Sequence, residues 1–149
     1  MPSYYSIDGE QNVASPDDTC LGMTTTTAVE PGIFYFAIGS EATPADNTIV
    51  WYIGRTTAAG TATSVTPQNL GPSTKAATSS AGENHTAEPT YTAGAILWRL
   101  GLNQRGSHSV VLDPTGTLNI PATSNAGLAF YPQHASATPL VSVVAHFKE

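Results

Sequence analysis

Charge is what this chain has least of. Only 11% of its 149 residues are Asp, Glu, Lys or Arg, against roughly 25% in an average globular domain. The few charges are also lopsided, with eleven acids against five bases and a net charge of −6. Phosphate backbones and anionic membrane surfaces are bound by clustered Lys and Arg, so no nucleic acid and no membrane is an expected partner. One cysteine, Cys20, excludes an internal disulfide and a cysteine-based zinc knuckle. The bland role for it, a small apolar residue in or beside a strand, outweighs that of a nucleophile. The longest strongly apolar run, Ile33 to Ile38, falls far short of a bilayer span. The opening residues MPSYYSIDGEQN have neither the basic nor the apolar region of a secretory signal, which predicts synthesis in the cytoplasm. No long window carries a helical period.

What fills the space is Thr, Ser, Ala, Gly and Pro around a 40% share of hydrophobic residues. A chain of this length is most simply one domain, able to bury about 68–70% of its unfolded surface. Thr with Val, Ile, Tyr and Trp favours strands, and Gly and Pro supply turns. Alternation marks the strands. Gly32 to Ser40 is apolar on both faces, which predicts a central strand. Asn47 to Thr57 sets Ile49, Trp51 and Ile53 against Val50 and Tyr52. Gly94 to Asn103 sets Ile96, Trp98, Leu100 and Leu102 against Leu97 and Arg99. Pro139 to Glu149 turns Val141, Val143, Ala145 and Phe147 inward. Thr19 to Val29, Ser107 to Asp113, Thr117 to Ile120 and Ala126 to Gln133 are shorter candidates. DPTG, Asp113 to Gly116, fits a type I turn and predicts a tight hairpin. The fold class that follows is all-β: an antiparallel β-sandwich, jelly-roll-like. Its expected core includes Ile33, Phe36, Trp51, Ile96, Leu100, Val141 and Val143.

Two stretches do not read as strands. Residues 1–12 look like an extended arm leaving a single domain at 13–149. The segment 66–89 looks like a long loop with one helical turn around STKAATSSA. Ordering an arm costs roughly 1–2 kcal/mol per residue in backbone entropy. Strand addition to a neighbour would offset that and bury Tyr4, Tyr5 and Ile7.

Candidate chemistry is sparse. His85, Glu88, His108, His134 and His146 are the possible metal ligands, and none falls in a zinc spacing. Asp17 and Asp18 are adjacent, so an extended chain points them apart. SHS at 107–109 with Asp113 contains triad letters but no nucleophile elbow, and GRTTAAG at 54–60 lacks the spacing and Lys of a phosphate loop. NHT at 84–86 matches a glycosylation sequon and marks a loop. These features predict no enzyme, no cofactor and no metal. Arg99 and Arg105, beside Trp98 and at the NQRG corner, are of the residue types enriched at binding hot spots. With the arm residues they form the expected contact set: Tyr4, Tyr5, Ile7, Trp98, Arg99 and Arg105.

The succession ATPADNTIVWYIGRTTAAGTATSVTPQNL (42–70), GENHTAEPTYTAGAILWRLGLNQRGSHSVV (82–111) and IPATSNAGLAFYPQHAS (120–136) resembles a family of small structural proteins of tailed bacteriophages. The resemblance runs from about Gly32 to the C-terminus, as ordered segments and not as a catalytic signature. It departs at NQRGSHSVV, where Gly106 and His108 replace a bulkier strand start. Members look like head decoration (cement) proteins: β-sandwich or jelly-roll domains, commonly trimers, on the capsid exterior. The resemblance therefore implies a virion structural protein made in the host cytoplasm, a homotrimer whose partner is the major capsid protein. The other readings are a tail or fibre component, a glycan-binding module of the virion, and a free enzyme. An outward-pointing Trp51 or Trp98 would favour glycan binding.

Overall fold

The computed structural model describes residues 2–14, 18–113, 117–133 and 138–149. Twelve strands and no helix form among them: β1 (Tyr4–Asn12), β2 (Leu21–Thr24), β3 (Gly32–Ala42), β4 (Thr48–Ala58), β5 (Thr61–Val65), β6 (Gln68–Asn69), β7 (Ser80–Ala87), β8 (Thr90–Asn103), β9 (His108–Val111), β10 (Leu118–Asn119), β11 (Gly127–Gln133) and β12 (Leu140–Lys148). All pairings are antiparallel. The first sheet runs β10-β3-β12-β1-β6, with β9 also on β3, and the second runs β5-β7-β2-β11-β4-β8. Their apolar faces pack against each other as a β-sandwich, with Phe36 of the first sheet touching Trp98 and Phe130 of the second. Ile33, Phe36, Trp51, Val141 and Val143 are buried as expected.

The N-terminal segment does not leave the domain. All nine residues of β1 pair with β12, from Tyr4 opposite Lys148 to Asn12 opposite Leu140, and β6 covers part of the other edge. Tyr5, Ile7, Gly9 and Gln11 alternate inward. Tyr5 is 0% exposed and its ring stacks on Phe147 at 5.2 Å. The partner strand comes from the opposite end of the chain, so nothing near residues 1–12 in sequence reveals it.

The stretch 66–89 is likewise not a loop throughout, and it contains no helical turn. It supplies β6 and the eight-residue β7, which lies between β2 and β5. In β7 only Ala81 and His85 are buried. Its place is set by backbone pairing on both edges, which a hydrophobic pattern does not report.

The DPTG turn falls on residues 114–116, outside the described set. Among the described residues its flanking strands β9 and β10 pair with β3 and not with each other. Both β9 and β10 run antiparallel to β3 along the same edge, one after the other. Leu112 N–H to the Phe34 carbonyl and Ile120 N–H to the Pro31 carbonyl continue that edge.

Ile96 is 44% exposed, contrary to its expected core position, and Leu100 is half-buried. The register against β4 shifts between Ile53 and Gly54: Trp98 faces Ile53 while Ile96 faces Gly54, leaving Leu97 as an extra residue. Such a bulge breaks strict alternation. Leu97 and Trp98 both pack on the core, and Ile96 turns out.

Candidate functional site

The polar side chains between residues 82 and 113 fall into two structures. The first is a clasp around Thr19, which is 0% exposed. Its N–H donates to Glu88 Oε2 at 3.0 Å, its hydroxyl bonds both Glu88 and the Tyr91 hydroxyl, and its carbonyl faces His85 Nδ1 at 3.1 Å. The link from β7 to β8 thus ties down the approach to β2. Burial pushes the His85 pKa below the ordinary imidazole value, against the raising effect of the Thr19 and Ala59 carbonyls. The hydroxyl of Thr19 is engaged by Glu88 and Tyr91, while His85 holds the backbone. The cluster ties the β7–β8 link to the segment that enters β2, around a fully buried Thr19.

The second structure is the flank where the two sheets end side by side. β8 is the edge of the second sheet and β9 lies on the edge of the first, with β3 its only partner strand among the described residues. Trp98 bridges them, edge-on to Phe36 at 5.1 Å and stacked with His108 at 6.1 Å. Outside this seal stand Ile96, 44% exposed, and Val111, 78% exposed. At the corner joining the edges, Gln104 is 2% exposed and bonds the Ala45 N–H and the Asn47 side chain. The next residue, Arg105, is exposed, with its N–H donating to Asn103 Oδ1. Arg99 projects from β8 over the Tyr52 ring, 5.3 Å from its centroid.

The expected contact set therefore scatters. Trp98, Arg99 and Arg105 gather at this flank and its corner. Tyr4 is 46% exposed, against Phe34 on the outer face of the first sheet. Tyr5 and Ile7, at 0% and 1% exposure, belong to the protein's own core and cannot reach a partner. Ile96 and Val111 were missed as surface residues because an apolar residue in a strand pattern reads as core. The one sequence signal of the irregularity in β8 is Gly94, which sits at φ +71.

No three metal-ligating side chains come together among the described residues. His134 and Asp17 lie outside that set. Cys20 is buried, its Sγ directed at the Gly9 carbonyl at 3.3 Å. Burial first, then the charges of Glu83, Glu41 and Glu10, push its thiol pKa up, so the reactive thiolate is disfavoured.

No family model matches the chain, and no curated protein does. Among solved structures, "Structure of infectious bursal disease virus Gt strain" aligns over 99% of this chain at 11% identity and a TM-score of 0.22. This chain spans 40% of that one. A score that low carries no likeness of fold.

Proposed function

We propose that the protein is a structural component of a phage particle, a decoration protein that binds the outer capsid surface and stabilises the shell. The observation that supports this is the β8–β9 flank. Sheet edges with exposed apolar side chains invite strand pairing and association, and proteins that work alone shield them. β8 is fourteen residues long and carries a single charge, Arg99. A flank of this kind suits a surface that is covered in the working assembly, by the major capsid protein or by further copies of the chain. The ordered segments resembling decoration proteins point the same way. Low charge keeps the desolvation cost of close packing small, and many weak copies on a lattice reinforce one another by avidity.

Trp51 is fully buried and Trp98 rests on Phe36. Neither offers the open indole that would favour a glycan-binding virion component.

The test is a double substitution, Ile96→Lys with Val111→Lys. Both positions face solvent, so the β spectrum and melting temperature should hold while binding to capsids stripped of the protein falls sharply. Capsid binding equal to that of the native protein would overturn the proposal.

A further inference from the structure

We propose that one end of the sandwich core is a binding site for an internal water molecule, which joins the two sheets by hydrogen bonds. The binding atoms are Gln11 Oε1, Ser40 Oγ and Trp51 Nε1. These are the buried side-chain polar atoms that have no hydrogen-bond partner among the described residues.

Register brings two of them into one row. Gln11 pairs with Val141 and Val141 pairs with Ser40, so the three lie side by side across β1, β12 and β3. Directly paired residues share a face. Val141 is 0% exposed and Gln11 6%, so the row turns inward. Elsewhere these strands face the core with apolar side chains, Tyr5 and Ile7 on β1 and Phe36 and Ile38 on β3. The apolar pattern thus gives way to a polar residue on both sides of β12 in the same row. The ladder is irregular here too. Val141 faces Ser40 while Leu140 faces Ala42, which leaves Glu41 as an extra residue. Bulges of this kind re-aim side chains.

Trp51 reaches the same end from the second sheet. β3 ends at Ala42, just beyond Ser40, and the chain crosses directly to β4, which starts at Thr48, just before Trp51. β1 ends at Asn12, next to Gln11, and Asn12 and Ala42 both pair with Leu140. Trp51 is 0% exposed, so its indole N–H lies wholly inside. Buried polar groups are rarely left unmet, and three at one end of a core argue for a shared partner.

The atoms select that partner. An indole N–H only donates, an amide oxygen only accepts, and a hydroxyl does either. The Gln11 amide is oriented by its Nε2, which donates to the Asn12 carbonyl at 3.4 Å and leaves Oε1 as the open acceptor. Gln11 and Ser40 do not serve each other, since their strands lie two spacings apart, roughly 9–10 Å. The Gln11 oxygen repels an anion and the Trp51 N–H repels a cation. No Asp, Glu, Lys or Arg is buried among the described residues to offset either charge. Water accepts from Trp51, donates to Gln11 and takes either role toward Ser40. Three bonds are the usual number for a buried water.

The site is internal, so its test is separate from capsid binding. The experiment is NMR of the full-length protein. The Trp51 indole N–H should show a cross-peak to water with the sign of a molecule held for longer than nanoseconds. Ser40→Ala and Gln11→Met each remove one partner at nearly constant bulk. Each should shift the Trp51 indole resonance and reduce or abolish the water cross-peak, while the Trp98 indole keeps its position. If Gln11→Met folds poorly, Ser40→Ala, which removes a single oxygen, decides alone. A native Trp51 indole with no water cross-peak overturns the proposal. A cross-peak that every folded variant leaves unchanged also overturns it, because the water then sits elsewhere.

Discussion

The Trp98 ring meets that of Phe36 edge-on, their centroids 5.1 Å apart and their planes at 79°. Trp98 belongs to the edge strand of one sheet and Phe36 to the other, so this contact closes the sandwich along its open flank. His108 stacks on the same indole from the β9 side. Truncating Trp98 would therefore disturb folding and surface together, since losing a buried Trp costs roughly 3–5 kcal/mol. Ile96 and Val111 lie outside the seal, where substitutions usually stay within about 0.5 kcal/mol. They separate binding from stability, which Trp98 cannot.

Removing residues 1–12 should abolish the native fold. The deletion takes out a strand paired with β12 along nine residues, together with Tyr5 and Ile7 of the core. A milder change, Tyr5→Ala, should destabilise by about 3–5 kcal/mol in urea denaturation. A truncated protein that still unfolds cooperatively would show that β1 is dispensable.

How much of this was legible in the sequence depended on where each strand found its partner. The pattern in Pro139 to Glu149 exposed the inward face of β12 because Val141, Val143, Ala145 and Phe147 are all apolar. β1 uses the same alternation but fills two of its inward places with Gly9 and Gln11, which hides it. β7 is held mainly by backbone bonds on both edges and has almost no apolar signal. In β8 the alternation was visible, but the bulge at Leu97 that inverts Ile96 was not. The flank was half legible: Trp98 and Arg105 stood out by residue type, whereas the exposure of Val111 follows from tertiary pairing alone.

Thr19→Val should cost about 1–3 kcal/mol, although it preserves side-chain shape. The hydroxyl serves both Glu88 and the Tyr91 hydroxyl at a fully buried position. Thr19→Ser retains that hydroxyl and should lose less. Chemical denaturation of the two variants provides the comparison, and equal stabilities would show that the clasp contributes nothing through this group.

Cys20 should resist thiol reagents at neutral pH as long as the protein is folded. Its thiol is buried, and burial together with three nearby glutamates opposes ionisation. Reactivity should appear with unfolding and follow the population of open molecules. Rapid labelling under native conditions would mean that β2 opens far more easily than its position between β7 and β11 implies.

Acid should weaken the fold before the carboxylates titrate. His85 and His146 both have pKa values lowered from 6.5 by burial. As pH falls through that ordinary value, the unfolded chain takes up protons on these imidazoles while the native protein does not. The unfolded state then binds more protons, so native stability declines with falling pH. The decline should begin near 6.5 and level off once the folded imidazoles themselves protonate. His85→Gln should make the slope shallower, and adding His146→Gln should nearly flatten it down to about pH 5, where carboxylates take over. Urea midpoints across this range give the measurement. A native protein whose stability is constant there, or rises with acid, would contradict the neutral, buried state of His85.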